Sequence, residues 1–276
     1  MHRHPITSAS SALGKPTDYP ERYDPALLFT MPRAPQREAL GIEGAPPFTG
    51  SDFWTAYEIT WLDARGKPQL AVGRFEVPAA SPRIVESKSL KLYLGSFASE
   101  KLDRRELARR VQSDLAKACD AAVTVELAPV TADLAAEPAS PPGESLDDLE
   151  LDADRYEPEP TLLEAAGPDV EETVHSALFR SRCPVTGQPD YGDVLVRYRG
   201  PRIDRSGLLR YLISYRRHPA FHESCVEQMF VDVLERCSPR ELTVYARFLR
   251  RGGIEINPFR SNFEPAPRAL ERTVRQ

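Results

Sequence analysis

The sequence predicts an α+β protein made of two similar units, each an antiparallel sheet with two helices packed on one face. Three observations lead there. Apolar and polar residues alternate at period two in two hairpin-like stretches, one from Phe53 and one from Val174. Each stretch is followed by segments with apolar residues at helical spacing. The order hairpin, helix, helix, strand then recurs on both sides of an acidic stretch, and the repeat lies in element order rather than in residue identity. At 276 residues the chain is long enough for one large or two ordinary domains.

Residues 1–50 are rich in proline and turn formers and are expected to wrap the surface as an irregular arm. Residues 51–129 make the first unit. Tyr57, Ile59 and Trp61 alternate with polar neighbours, Asp63-Ala-Arg-Gly-Lys-Pro68 turns the chain, and Leu70 to Val77 returns. Residues 87–98 read as a helix. Asp103 and Glu106 have capping-box spacing, and Leu107, Val111 and Leu115 follow at four-residue intervals as the inward face of a second helix. Residues 121–129 alternate again as a strand. Residues 130–173 carry 14 Asp/Glu and one basic residue, Arg155, which reads as a solvated acidic linker.

Residues 174–276 repeat the order. Val174–Arg182 and Tyr191–Arg199 flank a turn. Asp204 caps a helix with Leu208, Leu212 and Tyr215 on one side, stopped by Pro219. Phe221 opens another, with apolar pairs Cys225/Val226, Met229/Phe230 and Val233/Leu234. Leu242–Leu249 is a strand, Arg251-Gly-Gly253 a tight turn, and Ile254–Pro258 a short last strand.

Outside the acidic stretch, 27 acidic residues face 35 basic ones, although the whole chain has a formal net charge of −5. A basic remainder suits an anionic ligand such as a phosphorylated cofactor, and equally ordinary surface charge; it is no argument for direct nucleic-acid binding. No apolar run reaches membrane length, and the N-terminal Met-His-Arg-His-Pro-Ile-Thr lacks the apolar core of a signal peptide, so a cytoplasmic protein is expected. Four scattered cysteines (Cys119, Cys183, Cys225, Cys237) favour reduced thiols over a disulfide framework. Neither Gly-x-Gly-x-x-Gly nor a Walker-type phosphate loop is present.

Cys183 ends an apolar strand pattern, and Asp190 stands where the chain re-enters a strand after the turn Pro184-Val-Thr-Gly-Gln-Pro189. A hairpin there brings thiol and carboxylate together, as a nucleophile and a proton donor require. The plainer readings are a buried cysteine acting as a small hydrophobe and an aspartate bonding its own turn. His222 and Glu223 open a helix. Glu223 is either a first-turn acid favoured by the helix dipole or a carboxylate accepting the ring N–H and exocyclic amine of a guanine-like edge. His222 with Cys225 could pair on a metal, but Cys225 lies on the apolar seam and His222 does not. Glu86-Ser-Lys88-Ser-Leu-Lys91 is a solvated helix start, or a phosphate site using free helix amides. The glycines after Arg251 make a turn, or let a phosphate approach the backbone. Tyr211 and Tyr215 read as core.

Those positions together resemble the NADPH-dependent 7-cyano-7-deazaguanine reductases of queuosine biosynthesis, in their long two-domain form. The family signature Glu-Ser/Leu-Lys-Ser/Ala-hydrophobic-Lys-Leu/Tyr-aromatic is matched without a break by Glu86-Ser-Lys-Ser-Leu-Lys-Leu-Tyr93. Cys183-Pro-Val-Thr-Gly-Gln-Pro-Asp190, Phe221-His-Glu-Ser-Cys-Val-Glu227, the tail Arg250-Arg-Gly-Gly-Ile-Glu-Ile-Asn-Pro-Phe-Arg-Ser261 and the early Ser51-Asp-Phe-Trp-Thr-Ala-Tyr-Glu-Ile-Thr-Trp61 also resemble it. The likeness runs from about residue 13 to the C-terminus and is weakest in the acidic linker.

The resemblance implies tandem tunnelling-fold (T-fold) units, a homodimer, NADPH as cofactor and 7-cyano-7-deazaguanine as substrate. It implies Cys183 as the nucleophile that forms a covalent thioimide with the nitrile, and Asp190 as proton donor. It further implies Val85, Glu86, Ser87, His222 and Glu223 around the deazaguanine, and Ser87, Lys88, Arg251 and Gly252 around NADPH, with no metal. Two other classes stand beside it: a cyclohydrolase of the same fold, which needs a zinc set of Cys and His that cannot be assembled around Cys183, and a purine- or RNA-binding module with an inert cysteine.

Overall fold

A computed structural model describes residues 19–20, 22–130, 139–268 and 272–276 of the chain. Residues 1–18 of the expected arm and 131–138 of the expected linker lie outside them. The architecture is α+β, dominated by one sheet of eight strands in the order Thr124–Pro129, Pro68–Pro78, Thr49–Leu62, Ile254–Ser261, Glu241–Phe248, Pro189–Ile203, Ala165–Arg182 and Glu144–Ser145.

In the first half, β2 (Thr49–Leu62) and β3 (Pro68–Pro78) form the hairpin that the alternation predicts. Its turn closes on Asp63, whose carboxylate accepts from the Arg65 and Lys67 amides at 2.9 and 3.0 Å. β5 (Thr124–Pro129) adds to β3. Helices α2 (Ser87–Gly95) and α3 (Arg104–Cys119) cover this part, and α2 stops at Gly95 rather than at 98. Asp103 caps α3 by accepting from the Glu106 amide at 2.8 Å. No reciprocal box closes: Glu106 turns its carboxylate to Arg109 and Arg110. Leu107, Val111, Leu115 and Cys119 are buried against Trp54, Phe75, Leu90 and Phe97 in one core cluster.

In the second half, β7 (Ala165–Arg182) and β8 (Pro189–Ile203) form the long hairpin, followed by helices α4 (Arg205–Ser214) and α5 (His222–Cys237) and strands β9 (Glu241–Phe248) and β10 (Ile254–Ser261). Asp204 caps α4 by accepting from the Gly207 amide at 2.7 Å. Tyr211 and Tyr215 are core residues, linked hydroxyl to hydroxyl and on to Asp232. A second core cluster contains Phe179, Val194, Met229, Phe230 and Phe248.

The halves share one sheet instead of each closing its own. β10 pairs antiparallel with β2 from Ile254↔Ala56 to Ser261↔Thr49, and also with β9.

Two expectations are corrected. β7 begins at Ala165, inside the stretch read as linker, because basic residues across the fold neutralise its acids. Glu171 pairs with Arg199 at 2.8 Å, Glu172 with Arg205 at 3.3 Å, and Asp169 with Arg240. Leu146 and Leu163 of the same stretch are buried in the second core, and β6 (Glu144–Ser145) pairs parallel with β7. The arm is also regular in part rather than irregular throughout. It holds β1 (Thr30–Pro32), paired with β4 (Arg83–Val85), then helix α1 (Ala34–Ala39), and it buries Arg33, Ile42 and Phe48.

Candidate active site

The turn between β7 and β8 holds the thiol. Cys183 N–H donates to Gln188 O at 2.8 Å and Gly187 N–H to Cys183 O at 3.0 Å, with Gly187 supplying the left-handed residue at φ +69°. Ser181 stands opposite Asp190 in the ladder. Because side chains alternate faces at period two, Ser181, Cys183 and Asp190 share one face of the hairpin, thiol and carboxyl lying diagonally across its mouth. Both are 4% exposed, and both line a cleft with Pro184, Phe221, His222, Glu223 and Arg251. The opposite wall comes from the first half: Trp54 of β2, Val85 of β4 and Ser87 of α2.

Asp190 has two charged or chargeable neighbours. Arg251 Nε lies 2.9 Å from Oδ1, and His222 Nε2 lies 3.5 Å from Oδ2. The His222 ring stacks on Phe248 with centroids 3.8 Å apart, which fixes its plane. Cys225, one turn along α5, is fully buried in the second core, so the structure does not offer it with His222 as an exposed metal pair. Burial pushes the thiols of Cys119 and Cys237 up to about 11 and that of Cys225 higher still, as expected of inert core cysteines.

Glu223 is 3% exposed on the first turn of α5, where no side chain caps the helix. Burial pushes its carboxyl up to about 7; Asp52 adds to the rise, while His222 and Arg33 offset part of it. Behind it lies a buried ion cluster. Asp52 holds Arg33 at 2.5 Å and Arg260 at 2.8 Å, and Glu227, one turn after Glu223, holds Arg260 and Arg37 at 2.8 Å each.

Glu86 differs from its expected role. Its two carboxylate oxygens accept from the Lys88 and Ser89 amides at 2.7 and 2.9 Å and cap α2, while its neighbours Val85 and Ser87 face the cleft. Lys88 does not line the cleft.

Next to the thiol cleft, Gly252 and Gly253 (φ +59° and +80°) share a second hollow with Lys91, Glu58 and Gly95. A Cβ on Gly252 would come 2.4 Å from Lys91 Nζ, so the missing side chain leaves room for an ammonium over bare backbone. This cradle suits a cofactor's phosphates. The turn is held from the first half: one residue beyond the Ala56–Ile254 pair of the β2–β10 ladder, the Tyr57 amide donates to Gly253 O at 2.9 Å. Lys91 ends the stretch read from the sequence as a candidate phosphate site but was not placed at the cofactor, and Trp54 was not singled out at all. The signal for Lys91 was its place one turn after Lys88; Trp54 looked like any core residue of an alternating strand.

Residues 19–127 match the family model described as nitrile reductase, 7-cyano-7-deazaguanine-reductase N-term, and residues 189–267 match a QueF-like protein model. Curated relatives include the NADPH-dependent 7-cyano-7-deazaguanine reductases of Burkholderia vietnamiensis and Burkholderia multivorans. Each is 55% identical over 269 residues, covering 96% of this chain and 98% of its own. A solved structure, the archaeosine synthase QueF-Like in the apo form, gives a TM-score of 0.31 at 19% identity, covering 36% of this chain and 99% of its own, a likeness too slight to bear on the fold. Thiol cleft and cradle thus fall in an oxidoreductase of the nitrile-reductase class. More narrowly, the chain belongs to the NADPH-dependent 7-cyano-7-deazaguanine reductase family.

Proposed function

We propose that the chain reduces the nitrile of 7-cyano-7-deazaguanine to the aminomethyl group through a covalent thioimide on Cys183, in queuosine biosynthesis. The observation that carries this reading is the meeting of one cleft-lining thiol with Asp190, His222 and Glu223, opposite a wall from the other half. The two-part sheet with helices over each part supports tandem T-fold units, cytoplasmic and paired as a homodimer by family resemblance.

Cys183 sulfur adds to the nitrile carbon as its thiol proton passes to the Asp190 carboxylate, and Asp190 hands that proton to the nitrogen, turning C≡N into the C=N–H of a thioimide. NADPH, when bound, supplies two hydrides in succession, one to the thioimide carbon and one to the imine carbon left when the thiolate departs. The first reduction also takes up a proton at nitrogen and the departed thiolate takes up the second, and Asp190 and His222 are the nearest groups in the cleft for both. Glu223 accepts the ring N–H and exocyclic amine of the deazaguanine, which needs its carboxylate form. Val85 and Ser87 shape the facing wall, and Glu86 contributes by fixing their backbone as the cap of α2. Ser87, Lys88, Arg251 and Gly252 take the cofactor, and Lys91 joins them over the glycine turn. Burial of the cleft limits hydrolysis of the imine.

Intact-mass measurement after mixing with 7-cyano-7-deazaguanine alone tests the reading. Wild type gains the mass of one substrate and Cys183→Ala gains none; an unmodified wild-type mass would defeat the proposal. Asp190→Asn still binds substrate but forms the adduct roughly a hundredfold more slowly in rapid absorbance traces, the scale of a lost general acid.

A further inference from the structure

Arg251 belongs by family resemblance to the cofactor, yet in this structure its guanidinium is engaged elsewhere. Nε lies 2.9 Å from Asp190 Oδ1 and Nη1 donates to Gln188 Oε1 at 2.7 Å. Gln188 is the residue whose carbonyl accepts the Cys183 amide, so one planar group braces both the turn that carries the thiol and the carboxyl beside it. The brace has a firm base. The Arg251 amide donates to Ile254 O at 2.9 Å, and the Gly253 carbonyl is held by the Tyr57 amide. Asp190 is 4% exposed, and among the described residues its other oxygen is paired with the His222 ring at 3.5 Å. Without Arg251 the carboxyl would keep one long contact and be free to rotate in a site where an unpaired charge is costly.

We propose that Arg251 is a positioning residue for Asp190, setting the acid against the thiol turn before and apart from any part it takes in holding NADPH. The inference rests on the reading of Asp190 as proton donor. It has a consequence that cofactor binding alone does not have: loss of Arg251 slows a step in which NADPH takes no part.

The test is thioimide formation from enzyme and 7-cyano-7-deazaguanine without NADPH, followed by stopped-flow absorbance. Arg251→Gln is expected to form the adduct at least tenfold more slowly than wild type, with Arg251→Lys in between. Substrate affinity, measured in a Cys183→Ala background, changes less than threefold. Because Arg251 acts through Asp190, adding Arg251→Gln to Asp190→Asn slows the step by less than twofold further, the non-additivity of two residues doing one task. Equal adduct rates in wild type and Arg251→Gln, with only the KM for NADPH raised, would overturn the inference and leave the reaction standing. A wild type that forms no adduct removes both.

Discussion

Glu223, in its proposed binding role, works against the fold that holds it. Burial, reinforced by Asp52, pushes its carboxyl from an ordinary 4.5 up to about 7. A raised carboxyl favours the folded state fully below pH 4.5, and that contribution is lost as the pH rises through 7, because the native chain resists giving up the proton. Accepting two N–H groups from a substrate needs the ionised form. Glu223→Gln is therefore expected to melt at a higher temperature than wild type at pH 8, with the gain shrinking at pH 5.5. Its substrate affinity falls tenfold or more, and wild-type affinity itself declines below about pH 7. Thermal melts at the two pH values, with binding titrations in a Cys183→Ala background, check both halves. A variant less stable than wild type at pH 8 would mean that Glu223 is held by bonds worth more than its burial costs.

Two glycines separate what an element needs for folding from what it needs for the site. At Gly50 (φ +132°), where β2 crosses β10, a Cβ would lie 2.1 Å from Phe259 O, a backbone atom that cannot yield without breaking the ladder. At Gly252 the obstacle is the mobile end of Lys91. Gly252→Ala carries about 1–2 kcal/mol of left-handed backbone strain at φ +59° and should also displace the ammonium from the cradle, raising the KM for NADPH several-fold while NADPH-free adduct formation keeps its rate. A parallel loss in both steps would count against the cradle. The same contrast between local and distant causes explains what could be read beforehand. Helix α3 was legible because Asp103, Leu107, Val111 and Leu115 lie within one segment and obey one period. The thiol hairpin was legible because Cys183 and Asp190 are close in sequence. The start of β7 was not, since Glu171 and Glu172 look solvated until Arg199 and Arg205 are brought beside them by the fold. Glu86 was ambiguous for a different reason: a carboxylate before a helix serves as a cap or as a ligand with the same neighbours in sequence.

At the scale of the molecule, the cleft exists only while the two halves stay together, since Trp54, Val85 and Ser87 face Cys183 and Glu223 across it. The β2–β10 ladder is one tie; the buried ion cluster is the other. Arg260, 0% exposed on β10, binds Asp52 of β2 and Glu227 of α5, while Arg33 and Arg37 of the arm close on the same two carboxylates. Burial alone would raise both carboxyls, yet the arginines hold Asp52 and Glu227 below the usual carboxylate range, so the cluster is ionised. Removing its central cation takes one of two close cations from each carboxylate, leaving Asp52 on Arg33 and Glu227 on Arg37. Arg260→Met is expected to cost about 3–5 kcal/mol in urea unfolding, the range for breaking a buried pair from one side. Since Glu227 lies one turn from Glu223, adduct formation in Arg260→Met should fail at a lower urea concentration than the far-ultraviolet circular dichroism signal does, the cleft opening before the cores melt. A loss below about 1 kcal/mol, or coincident failure of both signals, would leave the strand ladder as the tie that matters and make the ion cluster incidental to the seam.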